Sequence, residues 1–379
     1  MNTDTKKHLH SEDSIRSELV MSVPPTDISV LKTESEYVYP AHSPKTNDDP
    51  LVFNVPSDGV SFYDYYNSEL YVRARIINHD KTNLDANELV APSNTFFHAW
   101  ISDIESEINN VTISKFGSLN PYVGYLTTLL GSSPNQKEND LKNILYYPTK
   151  TVDTYAAKTD PTCGFTKRAA LCQASKPFEM IGKLPIDICY QNKYLTPNSK
   201  VKITLRRSLA QFCLDANKEK ISTNNLECPY KYVIDEAVLI IPKHKVDEKA
   251  ITSDKFIYPI SSPNVRTYTI SSGQISHIAP SFISGNLPQK VYIGLVSNAA
   301  FNGNLMKSPF NFQHFKVASI SLAINGQDQV YKTVHYDFDN HKYLEGLATL
   351  KEAAINPQIG NGLSRENFLN GKLYHNYLN

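Results

Sequence analysis

The chain has 379 residues, 41% of them hydrophobic, which is long enough for two domains and sufficient for a large core. Its 38 basic and 38 acidic side chains cancel, and no block of like charge exceeds the pairs Lys167-Arg168 and Arg206-Arg207. That balance gives no strong electrostatic reason to bind nucleic acid or an anionic membrane surface.

The five cysteines, Cys163, Cys172, Cys189, Cys213 and Cys228, are irregularly spaced and form no CxxC pair. This argues against a structural zinc site and for reduced, mostly buried thiols in an intracellular setting. The N-terminal stretch MNTDTKKHLHSEDS lacks the apolar core of a secretion signal. The longest aliphatic run, Ala237–Ile241, is too short to span a bilayer. With 23 Tyr, 16 Phe and 22 Pro, the composition suits short strands joined by long loops.

Residues 1–16 are polar and expected to be disordered, and residues 17–50 read as an extended arm too poor in core residues to fold alone. Strand patterns begin at Val52–Val55. Leu70, Val72, Ala74 and Ile76 then alternate with Tyr71, Arg73, Arg75 and Ile77, a period of two that buries the first set. Further strands are expected over Ile104–Ser114, Phe178–Ile188, Lys200–Arg206 and Tyr230–Ile241, the last ending at Pro242. Two helices interrupt this half. Pro121 opens one that runs to Leu130, with Gly131 just past its end. Gln136–Tyr146 is the second, with Leu141, Ile144 and Leu145 on one face.

The polar stretch Lys245–Lys255 reads as a join between two halves. Beyond it, strands are expected at Arg266–Ile270, Ile275–Ile278, Val291–Val296, Val317–Ile324 and Val330–Tyr336, with Asn325-Gly326 as a tight hairpin turn. Ser364 is the expected N-cap of a short helical turn over Ser364–Gly371. Many short strands with few helices argue for an all-β chain of sandwiches.

Candidates for chemistry are few. On a strand, His335, Asp337, Asp339 and His341 would share one face and could hold a divalent ion; the plain alternative is a solvated strand face. The triplet His335-Tyr-Asp337 also fits the start of a metal triad on a β-helix barrel, with His375 as its well-separated partner; His10-Ser-Glu12 is a second match near the N-terminus. Cys163 or Cys172 with His98 or His79 would be a nucleophile and base only if the fold joined them. No phosphate-binding glycine loop or nucleophile elbow occurs. No cofactor and no enzymatic activity are expected. In the loop after Val296, Phe301, Asn302, Phe310, Phe312 and Phe315 read as an assembly surface facing a neighbouring half or subunit, the alternative being a loop packed on its own sandwich.

One stretch is distinctive as a sequence. LPQKVYIGLVSNAAFNGNLMKSPFNFQHFKV (287–317) resembles a family of uncharacterised animal proteins similar to the capsid proteins of Maverick/Polinton elements and adintoviruses. The arm segment from Ser22 to Val30 with Val38-Tyr-Pro40 is similar too. So are Leu70–Ile76, Val90–His98, Lys167–Leu171 and Ile181–Asp187, in the expected order from Ser17 to Phe368. The resemblance implies a double jelly-roll major capsid protein. Its first jelly roll would occupy 51–245, with a helical insertion near 120–147, and its second 255–379. The family continues past the position of Tyr377 and this chain stops at Asn379, so the second sandwich is expected to be short or truncated.

The function so implied is structural: pseudo-hexameric homotrimers tiling an icosahedral shell, with a minor penton protein as a partner, no specific nucleic-acid recognition, and a place in a virion. The alternative is a jelly-roll module binding a glycan or small ligand, or a domesticated transposon-derived protein without assembly.

Overall fold

The computed structural model describes residues 29–45, 49–147, 163–217, 228–251, 255–260, 262–280, 288–323, 333–352, 362–370 and 373–377. Among these the chain is mostly β, with short helices in its connections. In chain order the first half runs β1 (Val30–Val38), β2 (Leu51–Val55), β3 (Phe62–Tyr63), β4 (Glu69–Asn78), β5 (Val90–Pro92), α1 (Phe96–Ala99), β6 (Ile101–Ile108), β7 (Val111–Lys115), α2 (Asn120–Gly131), α3 (Pro134–Glu138), α4 (Gly164–Leu171), β8 (Phe178–Gly182), β9 (Val201–Arg207), α5 (Ala210–Cys213), β10 (Leu214–Ala216) and β11 (Tyr230–Val246).

Two larger antiparallel sheets build the first half, beside a separate β5–β10 pair. One has the order β1-β11-β4-β8, with β3 added on β11; the other has the order β2-β9-β6-β7. With β3–β4 and the β6–β7 hairpin each taken as one unit, these strands alternate between the two sheets from β2 onward: β2, β6–β7 and β9 lie in the second, and β3–β4, β8 and β11 in the first. The period-two pattern supplies the inner faces. Leu70, Val72, Ala74 and Ile76 of β4 are wholly buried, as are Phe53 of β2 and Ile203 and Leu205 of β9, and all join one apolar cluster. Arg73, on the other face of β4, reaches Glu179 of β8 at the surface.

Several boundaries differ from the sequence expectation, each for a local reason. The single strand expected over Ile104–Ser114 is the hairpin β6–β7. Asn109 and Asn110 both take positive φ (49° and 65°), as a tight two-residue turn requires, and asparagine tolerates this. The strand expected over Phe178–Ile188 stops at Gly182, where an added Cβ would sit 2.5 Å from Ile144 Cγ2, and the chain then makes a 3-10 turn at Asp187–Cys189. β11 continues through Pro242 to Val246. Pro242 stands opposite Ser35, and its carbonyl accepts the Asp64 N–H at 2.8 Å.

The helix at Pro121 is α2, with proline in its first turn. The second helix is not continuous. α3 starts on a capping box between Ser133 and Gln136, and ends where Asn139 Nδ2 bonds back to the Asn135 carbonyl at 3.1 Å. A 3-10 turn, Asp140–Ile144, follows, and Leu145 in the left-handed region (φ 62°) closes it, which buries Ile144, Leu145 and Tyr146.

The second half adds β12 (Lys290–Gly294), α6 (Asn298–Phe301), β13 (Ser319–Ile320), β14 (Val334–His335), α7 (Leu344–Glu352), α8 (Arg365–Asn370) and β15 (Leu373–Tyr377). β12 pairs antiparallel with β15, and β13 with β14. The described residues after Lys255 thus hold four short strands in two pairs. Segments 266–270 and 275–278, expected as strands, form no strand. Asn325-Gly326 lies outside the described residues. α8 follows Ser364, whose carbonyl accepts the Phe368 N–H at 3.0 Å. Buried Leu305, Phe310, Phe312, Tyr336, Tyr343, Leu347, Leu350 and Phe368 belong to the same apolar cluster as the sandwich. No described helix is long and apolar enough to cross a membrane.

Candidate functional site

The most densely built feature outside the sandwich is an aromatic joint between the two halves. α2 presents Tyr122 and Tyr125, three residues apart and therefore on one face. Phe310 lies flat on Tyr125 with ring centroids 4.5 Å apart, and meets Tyr122 and Phe212 edge-on at 6.0 and 6.4 Å. Phe301 stacks on Tyr122 at 5.7 Å, and Phe312 reaches both tyrosines at 6.2 and 6.0 Å. Offset and edge-on pairs at these separations are the favoured aromatic arrangements. Burial pushes the hydroxyls of Tyr122 and Tyr125 well above the ordinary tyrosine range.

The backbone continues the joint: the Ala216 N–H donates to the Leu305 carbonyl at 2.7 Å. Gly303, at φ 93°, packs so closely on Gln211 and Phe212 that a Cβ would meet Gln211 Cγ at 3.0 Å.

Phe301, Phe310 and Phe312 are thus occupied within the chain. Phe315 remains 53% exposed, and Asn302 is also on the surface. The tyrosine partners were not singled out from sequence, although their spacing in a helix opened by proline was visible.

A second construction pins the neighbouring corner. Arg168 of α4 is only 2% exposed. Its Nε donates to the Pro92 carbonyl (2.7 Å), one Nη to the Tyr147 carbonyl (2.6 Å), and the other to Asp215 Oδ2 of β10 (2.9 Å). Ser93 Oγ donates to the remaining Asp215 oxygen at 2.8 Å. A buried charge is tolerable when paired and hydrogen-bonded in this way. The partners are 47 residues apart in sequence, so no local pattern announced them.

His98 closes the underside. It sits on α1, with Nε2 at 3.2 Å from Thr128 Oγ1 of α2, while Nδ1 is buried without a partner. Burial lowers its pKa to about 3. In the unfolded chain a histidine titrates near 6.5, so below that pH the unfolded state binds a proton that the folded state refuses. Stability is therefore full above pH 6.5 and is expected to fall by up to about 1.4 kcal/mol per unit as the medium is acidified towards pH 3. Denaturant melts of the wild type and H98Q across pH 7 to 4 check this, the variant losing that part of the slope.

The metal candidates are placed differently from the expected strand face. β14 ends at His335, and Asp337–Lys342 turns back on itself through a bridge between those two residues. Asp337 accepts from Asn340 N and Nδ2 at 3.1 and 2.8 Å, Asp339 pairs with Lys316 at 3.0 Å, and His341 takes φ 60°. The turn ends the period-two alternation, so the four side chains do not share a strand face. Among the described residues no group of three His, Cys, Asp or Glu is arranged to hold a metal ion. His375 stands opposite Tyr292 in the β12–β15 pair.

Cys172 is buried and its thiol faces the Val90 and Ala169 carbonyls, both at 3.5 Å, whereas Cys163 precedes α4; neither is bonded to His79 or His98. An open cleft of about 370 Å³ is lined, among the described residues, by His79, Arg207, Ser208, Gln211, Lys231 and Tyr232, among others, and by no carboxylate. Arg206 pairs with Asp103 and Glu105 on the sheet surface (3.6 and 3.7 Å), and Arg207 donates to the Pro44 carbonyl at 2.7 Å.

No protein-family model matches the chain. An uncharacterised protein of Caenorhabditis elegans is 23% identical over 286 residues, covering 73% of this chain and 63% of the relative. The chain thus spans less than two thirds of the length of the curated relative it matches. Among solved structures, the PBCV-1 virus capsid, a quasi-atomic model, is similar with TM-score 0.49 and 9% identity over 94% of this chain and 80% of that one. The Sputnik virophage structure gives 0.41 and 10% over 62% and 52%. The mavirus major capsid protein gives 0.34 and 10% over 78% and 55%.

Proposed function

We propose that the chain is a structural subunit of a virus-like shell, in which 51–245 and 255–379 stand as paired β-blocks of the double jelly-roll type and three copies make one capsomer. One observation carries the reading. Two of the segments that resemble the Maverick/Polinton and adintovirus capsid family, Ala300–Gly303 and Pro309–Phe312, build the joint between the blocks as the aromatic loop seated on α2. Two others, Val90–His98 and Lys167–Leu171, supply Ser93, His98 and Arg168 to the corner beside it, within the first block. A protein whose distinctive residues fix two blocks at one angle has a shape to present to its neighbours.

Closed cyclic symmetry covers the surfaces that a single copy leaves open. The subunit acts by geometry, without cofactor or catalysis, as part of a virion, and closure of a shell calls on a separate protein at the five-fold vertices. The purified chain is expected to run in light scattering at three times 42.6 kDa. A single-copy mass at concentrations where the chain is folded overturns the reading.

A further inference from the structure

Two loops of the first sandwich, 64–68 after β3 and 183–200 between β8 and β9, meet at a patch that the joint does not use. Tyr66 and Tyr190 are exposed there, and the half-buried Lys183 lies against both rings. Its Nζ is 3.9 Å from the Tyr66 ring centroid and 5.4 Å from that of Tyr190. An ammonium over tyrosine faces is a favourable contact, but it leaves N–H donors to satisfy. No carboxylate among the described residues pairs with this ammonium. Of the acids near it, Asp64 accepts from Asn67 N and Nδ2 at 3.1 and 2.7 Å and lies 3.6 Å from His244, while Glu69 is exposed on β4. Burial holds the Lys183 pKa below the ordinary lysine range, as expected of a half-buried charge with no anion bound to it.

Both loops are pinned beneath the patch. Tyr63 and Leu195 exchange backbone hydrogen bonds at 3.0 and 2.8 Å. Ser68 Oγ stands 3.5 Å from the buried Cys189 sulfur. The Gln191 amide closes its own turn, donating to the Lys193 carbonyl at 2.6 Å and accepting the Lys193 N–H at 2.8 Å. That turn leaves Asn192 and Lys193 on the surface, with Asn198 further along, and residues 190–198 contain no acid. Side chains fixed in this way before a ligand arrives lose little further freedom on binding.

We propose that this patch binds an acidic sugar of a glycan, whose carboxylate or sulfate pairs with Lys183 while its C–H face rests on Tyr66 or Tyr190. Three kinds of group select that ligand together. The Lys183 ammonium calls for an anion. The exposed tyrosine rings offer flat apolar faces with a polar edge. The amides of Asn192 and Asn198 can each donate to and accept from a hydroxyl. An apolar protein segment would cover the ammonium and the amides without satisfying them, which is costly. A bare inorganic anion would leave the rings unused. The inference goes beyond the capsomer reading and does not depend on how many copies assemble.

The full-length chain is titrated with sialyllactose, which carries a carboxylate, with a sulfated chondroitin disaccharide, and with neutral lactose, and saturation-transfer NMR reads the bound sugar. At least one acidic sugar is expected to bind, and lactose at least about tenfold more weakly. Y66A/Y190A and K183Q should each weaken acidic-sugar binding at least about tenfold, whereas K245Q, at an exposed lysine of β11, should not. Tyr66 and Tyr190 are surface positions, so the thermal midpoint of Y66A/Y190A should stay at the wild-type value. The wild type supplies a second measurement: saturating acidic sugar should slow acetylation of Lys183 by an N-hydroxysuccinimide ester and leave Lys245 at its free rate. Binding of only one acidic sugar supports the inference and identifies carboxylate or sulfate as the anion. The inference is overturned if neither acidic sugar binds, if lactose binds as tightly, if Y66A/Y190A binds like the wild type, or if Lys183 is acetylated at an unchanged rate under saturating sugar. The mass of the assembly, measured separately, decides the capsomer reading.

Discussion

Replacing Arg168 with alanine is expected to lower stability by about 3–5 kcal/mol, the cost of leaving a buried partner charge uncompensated. Asp215 would lose its guanidinium partner, and the Pro92 and Tyr147 carbonyls would each lose a donor. Arg168→Lys should recover little, because one ammonium cannot reach the three acceptors that the guanidinium fork meets at 2.6–2.9 Å. The paired change Arg168→Met with Asp215→Leu should recover most of the loss, since apolar replacements leave no orphaned charge. Denaturant midpoints of the four proteins measure this. A near-wild-type Arg168→Ala would mean that α4 is not held by the pair.

Truncating Phe310 to alanine should cost about 3–5 kcal/mol, the range for emptying a buried aromatic site. The ring is nearly wholly buried between Tyr122, Tyr125 and Phe212. The loss should be local as well as global. Amides of Lys290–Gly294 and of the Leu305–Phe312 loop should exchange with solvent before those of β4 and β11, because the joint ties the second half to the sandwich. Phe315→Ala is the comparison: that ring is 53% exposed, and its removal should leave stability within about 0.5 kcal/mol. Equal losses at the two positions would show that the loop is not anchored through the α2 tyrosines.

These two sites mark what was legible in the sequence. The alternation of Leu70, Val72, Ala74 and Ile76, and of Val201, Ile203 and Leu205, specified buried strand faces, because a pleat returns every second side chain to one side whatever the strand pairs with. Pro121 marked the start of α2 for an equally local reason. The phenylalanines of the loop after Val296 were visible as an unusual packing set, but their partners on α2 were not.

The hairpin at Asn109-Asn110 escaped notice because two strands in direct succession share one alternating pattern, and only the positive φ values mark the turn. The metal reading of His335, Asp337, Asp339 and His341 assumed a straight strand. Backbone turned at Asp337–Lys342, with Asn340 and Lys316 using the two carboxylates, separates what period two would align.

By itself, the sequence determined most of the sheet-forming segments before Lys255, the balanced charge and the capsid-like resemblance, and it singled out the loop after Val296 without deciding what that loop packs on. Tertiary structure decided which strands share a sheet, that Arg168 would be buried against Asp215, that His98 would be held neutral, and that segment 266–278 would be left facing solvent. Periodicity and turn chemistry act over a few residues. Burial, ion pairing and exposure depend on groups tens to hundreds of positions away, brought together only when the two sheets close.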